Sequence, residues 1–307
     1  MIIHVDQRSM TSESIDKLAK RFPDINFVLD ADASHEAEAI FAMPYFFKEK
    51  RLKDYPHLKW IQNLAAGYDK VEMEYIRKRG IIFCNARDVY STQIAEDVFA
   101  KILDFNRHLY TYHQQMPKGD WRRHQVHHEI ARATVGIIGT GSIASAVAKR
   151  MQAFEATLLG YRRRNEPVPY FDDIYTGRQG LLAMLSRSDY VIVTAALNDD
   201  TRHVLDDEAF DHMKANAFVV NIARGELIDQ DALVRALASK KIAGAGLDVT
   251  TPEPLPPDHP LWQFEQVLIT PHASSESPYV HERLDDLVHE NLSRYLHDER
   301  LLNIIDE

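Results

Sequence analysis

The stretch from Thr134 to Arg164 limits the fold of this chain more than any other part of the sequence. A short apolar run at 135–138 leads into the turn Gly139-Thr140-Gly141, and apolar residues then recur at helical spacing over 142–154. A second apolar run follows at 157–161. Strand, glycine turn, helix and strand in this order are typical of a dinucleotide-binding βαβ unit.

Each glycine of this turn has a physical role in such a unit. Gly139 permits the sharp turn, and Gly141 lets the backbone approach a pyrophosphate. Free amides at the start of the helix, at Ser142 and Ile143, are expected to bind the anion with help from the helix dipole. Ala144 stands in place of the third glycine, a change that the fingerprint tolerates.

The composition excludes several classes of protein. The 307 residues allow two domains, and no apolar run approaches the ~18 residues that a membrane span needs. One cysteine excludes an intrachain disulfide and a cysteine-built zinc site, and we expect no metal. The net charge of −10 argues against a nucleic-acid-binding surface. With no signal-peptide pattern at the start, the sequence predicts a soluble, cytoplasmic protein.

The first third of the chain alternates predicted strands and helices. Strands are expected at 2–5, 25–29, 39–42, 58–64 and 81–84, with a helix at 12–22 and a long helix at 92–115. This alternation predicts a small, mostly parallel sheet covered by helices. The loop at 64–69 either binds a carboxylate through its backbone amides or is an ordinary turn. The aromatic residues at 45–47 either line an apolar pocket or plug the end of the sheet.

Three ionisable residues follow three predicted strands of the second half, which lie at 218–222, 244–249 and 267–270. Ligands of such sheets bind at the carboxyl ends of the strands. Arg224 can bind a carboxylate and a carbonyl oxygen through its planar fork. His272 can exchange a proton near neutral pH, and Glu253 can hold its tautomer. These are the groups that reduction of a 2-keto acid by a nicotinamide cofactor requires.

Several motifs carry a resemblance that extends over nearly the whole chain. They are L-A-A-G-Y-D at 64–69, G-D-W at 119–121, V-G-I-I-G-T-G-S-I-A at 135–144, V-N-I-A-R-G-E-L-I-D at 220–229, G-L-D-V-T-T-P-E-P-L-P at 246–256, H-P-L-W at 259–262 and I-T-P-H-A-S at 269–274. In these motifs and in their order, the sequence resembles the D-isomer-specific 2-hydroxyacid dehydrogenases.

The resemblance implies an α/β fold of two Rossmann-like, doubly wound parallel-sheet domains with an interdomain active-site cleft. Residues 1–95 plus 279–307 would form the substrate-binding domain and residues 96–278 the dinucleotide-binding domain. Arg224, Glu253 and His272 would be catalytic. Family members are commonly dimers, and the segment around Trp121 would lie in the contact of a homodimer.

The resemblance, the aromatic residues after 44 and the arginines after Tyr161 together give the candidate binding residues. The substrate would be bound by Ala65, Ala66, Gly67, Tyr68 and Tyr45. The cofactor would be bound by Gly139, Thr140, Gly141, Ser142, Ile143, Arg162, Arg163, Arg164, Ala195, Ala196, Thr201, Ile222, Ala223, Arg224, Asp248, His272 and Ser274.

One departure from the family pattern concerns the choice of cofactor. Members that use NAD usually carry an acidic residue at the end of the second strand of the βαβ unit, but here Tyr161 is followed by three arginines. Arg162 lies 23 residues after Gly139, where the fingerprint expects the acid that binds the ribose 2′-hydroxyl. Guanidinium groups suit the 2′-phosphate of NADP instead. The alternative is a solvated basic loop. NADP(H) is therefore the preferred cofactor, with NAD(H) possible.

The leading hypothesis is an NADPH-dependent reductase of small 2-keto acids to D-2-hydroxy acids. The alternative is a dinucleotide-sensing regulatory protein on the same fold. A formate-dehydrogenase-like enzyme is disfavoured, because such enzymes carry glutamine where this chain has Glu253. If Tyr45, Phe46, Phe47 and Tyr68 border the pocket, we expect apolar, medium-to-large keto acids to be preferred over glyoxylate.

Overall fold

The computed structural model describes residues 1–29, 35–124 and 126–306, which divide into two compact units. One unit comprises Met1–Tyr90 with Glu276–Glu307, and the other comprises Ser91–Ser275. Among the described residues, none of the helices has the length and apolar character that a membrane crossing requires.

The first unit is built on a parallel sheet with the strand order β2-β1-β3-β4-β5. Its strands are β1 (Ile2–Val5), β2 (Asn26–Val28), β3 (Ala39–Ala42), β4 (Trp60–Asn63) and β5 (Ile82–Cys84). Its helices are α1 (Ser12–Arg21), α2 (Glu49–Leu52), α3 (Met73–Lys78) and, from the end of the chain, α10 (Val280–Leu296).

Both faces of this sheet are buried. Ala39 and Phe41 of β3 pack in one apolar cluster with residues of α1 and α10. Ile40 and Ala42, which point to the opposite face, pack in a second cluster with residues of α2 and α3. Burial on both faces is what the unbroken apolar sequence of β3 predicts for a parallel sheet.

The second unit is a parallel sheet with the strand order β12-β11-β10-β9-β6-β7-β8. Its strands are β6 (Thr134–Ile138), β7 (Thr157–Tyr161), β8 (Asp173–Tyr175), β9 (Tyr190–Val193), β10 (Phe218–Asn221), β11 (Gly244–Leu247) and β12 (Val267–Ile269). Its helices are α4 (Ser91–Arg107), α5 (Leu109–Gln115), α6 (Ser142–Met151), α7 (Gly177–Arg187), α8 (Asp207–His212) and α9 (Gln230–Ala238).

The direction of winding in this sheet reverses between β6 and β9. From β6 the chain adds β7 and β8 on one side, and from β9 it adds β10, β11 and β12 on the other. Such a reversal opens a crevice at the carboxyl ends of the two central strands. The glycine turn at 139–141 lies there, because it directly follows β6.

The predicted fold class, two α/β units with parallel sheets, is confirmed, but the single helix predicted over 92–115 is wrong. His108 adopts the left-handed conformation, with φ 53° and ψ 38°, and separates α4 from α5. Its ring donates from Nε2 to the carbonyl of Val126 at 2.5 Å and stacks on His124. The interruption therefore coincides with contacts to a distant segment, which helical periodicity cannot reveal.

Candidate active site

The glycine turn after β6 has the geometry that a pyrophosphate needs. Gly139 has φ 88°, and a Cβ atom added there would lie 2.8 Å from the backbone of Ala195 after β9. Only glycine fits without a shift of the neighbouring strand end. A Cβ added at Gly141 would meet nothing within 4 Å, and Gly141 is the N-cap of α6. The free amides of this helix start and the open space above Gly141 fit the phosphates of a dinucleotide.

The remaining predicted cofactor residues lie at strand ends of the same sheet edge. Thr140, Ser142 and Ile143 are in the turn and at the start of α6, and Ala195 and Ala196 follow β9. The hydroxyl of Thr201 donates to the carbonyl of Ala196 at 2.7 Å and so fixes that loop. After β10, Ile222 is buried and Ala223 is half-buried.

The three arginines follow β7, which pairs with β6. Tyr161 lies opposite Ile138, and the amide of Gly139 donates to the carbonyl of Tyr161 at 2.9 Å. The backbone of Arg162 therefore lies directly beside the glycine turn. Its amide donates to the carbonyl of Tyr175, and its guanidinium lies 3.6 Å from the carboxylate of Glu166. Arg163 and Arg164 are exposed.

A histidine–carboxylate pair lies after β11 and β12. Nδ1 of His272 is 2.9 Å from Oε2 of Glu253, and the other carboxylate oxygen accepts from the amide of Thr250 at 3.3 Å. The pair is partly open to solvent, since the two side chains are 45% and 40% exposed. The contact at Nδ1 fixes the ring, and Nε2 has no hydrogen-bond partner among the described residues. That nitrogen is therefore placed to exchange a proton with a bound molecule.

The backbone that carries His272 is held in an unusual conformation. His272 has φ 51°, in the left-handed region that few residues other than glycine adopt. Its amide donates to the carbonyl of Asp248 at 2.8 Å. The carboxylate of Asp248 accepts from the Thr270 hydroxyl at 2.6 Å and from the amides of Ala273 and Ser274 at 2.9 and 3.0 Å. These bonds involve residues on both sides of His272 in the sequence, and they hold its loop in place.

Asp248 is buried, and its carboxylate stays ionised because of these bonds. Burial by itself would raise the pKa of the carboxyl, but the hydrogen bonds from Ser274, Thr270 and Ala273 outweigh burial and lower that pKa below its ordinary value. The sequence suggested Asp248 and Ser274 only as cofactor contacts. The structure shows in addition that they connect β11 to the loop of His272.

Arg224 follows β10 and is half-buried. Asn221, the last residue of β10, accepts from the amide of Ala223 at 3.1 Å and donates to the carbonyl of Arg224 at 2.8 Å. The guanidinium of Arg224 donates to the carbonyl of Ala223. A Cβ added at Gly225 would lie 2.2 Å from the carbonyl oxygen of Thr250, so glycine lets the ends of β10 and β11 come together.

A cavity of about 410 Å³ adjoins the histidine–carboxylate pair. Glu253 and His272 line it together with apolar side chains, among them Leu255, Trp262 and Ile269. The indole of Trp262 is fixed by a hydrogen bond from Nε1 to the carbonyl of Pro256 at 2.8 Å. Sequence reasoning did not single out Trp262 as a lining residue, although the tryptophan stands in the motif at 259–262.

The predicted substrate residues lie in the first unit, after β3 and β4. Ala65, Ala66, Gly67 and Tyr68 form a half-buried loop directly after β4. Tyr45 follows β3, is 49% exposed and donates its hydroxyl to the carboxylate of Asp6.

Phe46 and Phe47 behave differently, because they are buried in the core of the first unit. Of the two alternatives for the aromatic segment, these two rings plug the end of the sheet. The expectation that they border a pocket is wrong.

Comparison with known proteins identifies the family. The sequence pattern described as "D-isomer specific 2-hydroxyacid dehydrogenase, NAD binding domain" matches residues 99–274. The chain belongs to this family. It is therefore a dehydrogenase that uses a nicotinamide dinucleotide, NAD(P).

The names of individual relatives are consistent with this family. A glyoxylate reductase of Korarchaeum cryptofilum is 32% identical over 82% of this chain and 77% of the relative. Another, of Pyrococcus horikoshii, is 35% identical over 77% of this chain and 73% of the relative. The structure of an NADPH-dependent glyoxylate/hydroxypyruvate reductase from Sinorhizobium meliloti, in complex with NADP and malonate, is 25% identical, covers 99% of this chain and 96% of that one, and has a TM-score of 0.81.

Proposed function

We propose that this dehydrogenase reduces small 2-keto acids to D-2-hydroxy acids and prefers NADPH. The observation that carries the proposal is the contact of 2.9 Å between His272 and Glu253 at the strand ends of the unit that contains the dinucleotide turn. The cofactor supplies the hydride when bound. Everything else in the reaction is binding, orientation and proton transfer by residues of the chain.

Each catalytic residue has one role in this proposal. His272 gives a proton from Nε2 to the keto oxygen in reduction and takes it back in oxidation, since an imidazole can act as general acid and as general base. Glu253 holds the ring through Nδ1. Arg224 binds the carboxylate and polarises the keto group through its planar fork. The backbone amides of Ala66, Gly67 and Tyr68, in the loop after β4, bind the carboxylate.

The substrate is proposed to be small. The named relatives are glyoxylate reductases, and the burial of Phe46 and Phe47 removes the main argument for bulky keto acids. Glyoxylate and hydroxypyruvate are therefore the first substrates to test.

The preference for NADPH rests on the position of Arg162 beside the glycine turn. A charge-assisted hydrogen bond contributes ~1.5–3 kcal/mol, so two bonds to the 2′-phosphate would favour NADPH by roughly 10²-fold or more. The guanidinium pairs with Glu166, a residue beyond the strand end, and no acid occupies positions 161–164, where a carboxylate would repel that phosphate.

The test is kcat/KM for glyoxylate, hydroxypyruvate, pyruvate and a branched keto acid with both cofactors, in the native enzyme and in Arg162→Asp. We expect NADPH to be favoured in the native enzyme and the preference to fall at least tenfold in the variant. Arg132→Asp, the same change at an exposed site before β6, is the matched control. Equal use of both cofactors by the native enzyme would refute the preference, and no turnover of any keto acid would refute the proposed reaction.

A homodimer and a cytoplasmic location stay predictions. The dimer is supported by the exposure of large apolar side chains along 109–126, where Trp121 is 92% exposed and Leu109, Tyr110, Met116 and Val126 are also exposed. Sedimentation velocity of the native chain tests the dimer.

A further inference from the structure

Consecutive carbonyl groups of the loop after β4 accept hydrogen bonds from side chains around the loop. The carbonyl of Leu64 accepts from the hydroxyl of Tyr90 at 2.6 Å. Asn63 donates from Nδ2 to the carbonyls of Ala65 and Gly67 at 2.8 and 3.1 Å. Asn85 donates to the carbonyl of Ala66, which lies between them, at 2.7 Å. Four consecutive carbonyls are thus occupied by three side chains.

The three donors are fixed by their own surroundings. Asn63 and Asn85 are buried, with 0% and 5% exposure, and each ends or follows a strand of the sheet. The oxygen of each side-chain amide is also used, since Asn63 Oδ1 accepts from the Ala65 amide at 3.4 Å and Asn85 Oδ1 from the Arg87 amide at 3.2 Å. Burial raises the pKa of Tyr90 to about 12, so its hydroxyl keeps the proton that it donates.

Occupied carbonyls determine where the amides of the loop point. In a planar trans peptide unit, the N–H of one residue points opposite to the carbonyl of the residue before it. Because the carbonyls of Ala65, Ala66 and Gly67 point towards Asn63 and Asn85, the next three N–H groups point away from them. Within the described parts of the chain, the amides of Ala66, Gly67 and Tyr68 donate to no acceptor.

We propose that Asn63 and Asn85 are positioning residues that hold these three amides as a preformed site for the carboxylate of the substrate, and that Tyr90 holds the peptide unit just before them. The inference rests on the proposed function, because it takes the ligand to be a small 2-keto acid. A carboxylate carries the charge and the acceptor oxygens that consecutive free amides bind. Since the carbonyls are already bonded, the loop does not have to reorganise when the ligand arrives, and the binding energy is not spent on ordering the backbone.

The mildest test is Tyr90→Phe, which removes one hydroxyl, keeps the ring and releases the peptide unit just before the three amides. The probe is oxamate, an unreactive analogue that retains the carboxylate and the carbonyl of a 2-keto acid, titrated calorimetrically into the enzyme saturated with NADPH. We expect the Kd of oxamate and the KM of glyoxylate to rise about 2–10-fold, the worth of one hydrogen bond, with the Kd of NADPH unchanged. Tyr295→Phe, in the same unit but stacked on Trp60, is the matched control and should change neither.

Asn85→Ala extends the test, because it frees the central carbonyl of the loop. We expect a larger loss of oxamate affinity than in Tyr90→Phe, with kcat at saturating glyoxylate much less affected than KM. Amide NMR resonances of Ala66, Gly67 and Tyr68 should shift on addition of oxamate to the native enzyme and shift less in both variants.

Three outcomes would overturn the inference. One is an oxamate Kd within twofold of native in both variants while the melting temperature falls, since the bonds would then serve only folding. Another is an absence of shifts for the three amides in the native enzyme. The third is an equal response of these amides to inorganic phosphate, which would remove the assignment to a carboxylate. A native enzyme that turns over glyoxylate while the variants show no effect refutes only this inference, whereas a native enzyme that reduces no keto acid refutes the proposed function.

Discussion

Asn63 in the first unit and Asn221 in the second end two parallel strands in nearly the same way. Both side chains are buried, and each accepts from the amide two residues further on, that of Ala65 or Ala223. Each also donates from Nδ2 to the loop, Asn63 to two carbonyls and Asn221 to that of Arg224. The loops beyond the two asparagines differ, because A-A-G carries no polar side chain and its amides at Ala66 and Gly67 have no acceptor among the described residues, whereas A-R-G carries a guanidinium.

This difference separates two ways of building a site at the carboxyl ends of strands. In the first unit the proposed binding groups are main-chain amides, so the residues that orient them lie outside the loop. In the second unit the proposed catalytic groups are side chains, and Gly225 and Asp248 bring together the loops that carry them. Substitution of the side chains in the loop should therefore matter little in the first unit and greatly in the second.

The largest effect is expected for His272→Ala, which removes the proposed proton donor. Loss of a general acid lowers kcat by ~10²–10⁴, and the affinity for NADPH should change little because the glycine turn and the other predicted cofactor contacts are untouched. Steady-state kinetics across neutral pH provide the measurement, with the exposed His297→Ala as control. A near-native kcat at every pH would show that catalysis does not depend on the side chain of His272.

A smaller effect is expected for Arg224→Lys, which keeps the charge but loses the planar fork. Loss of one charge-assisted hydrogen bond corresponds to a fall in kcat/KM of roughly 10–100-fold. The comparison is sharpened by Ala66→Ser in the first unit, a change of side chain that leaves the amides in place and should alter kcat/KM by no more than about twofold. If the two substitutions had similar effects, the distinction between main-chain and side-chain sites would be wrong.

The smallest effect is expected for Asp248→Asn, which acts on stability through the loop that carries His272. An amide NH₂ facing the backbone donors of this loop should cost about 1–2 kcal/mol of unfolding free energy at pH 7. Because the folded-state pKa of Asp248 is lowered, its contribution is present above the unfolded pKa of about 3.9 and is lost as the pH falls through the folded value.

Urea unfolding of the native enzyme and of the variant at pH 7, 5 and 3 measures this contribution. The difference between the two proteins should stay constant from pH 7 to 5 and shrink at pH 3. Asp258→Asn, at an exposed site of the same unit, is the control. A difference that does not depend on pH would mean that the ionised carboxylate is not what holds the loop.

Much of the sheet architecture was predictable from local pattern. The strands at 2–5, 39–42 and 157–161 have the predicted bounds, and the other predicted strands agree within a few residues. Their apolar runs are unbroken because both faces of a parallel sheet are buried. The elements β8 and α7 were not predicted, since β8 has only three residues, with Asp173 first, and α7 contains two glycines. The predicted roles of the catalytic and binding residues await the experiments above.

The sequence by itself determined the dinucleotide turn, most of the strands and the candidate residues Arg224, Glu253 and His272. These signals are local, since each depends on a residue type at a fixed distance from an apolar run. The tertiary structure decided what is non-local: the break at His108, the burial of Phe46 and Phe47, the left-handed backbone of His272 and the free amides after β4. Each depends on a hydrogen bond or a packing partner elsewhere in the chain, such as Val126, Asp248 or Asn85, that no spacing rule identifies.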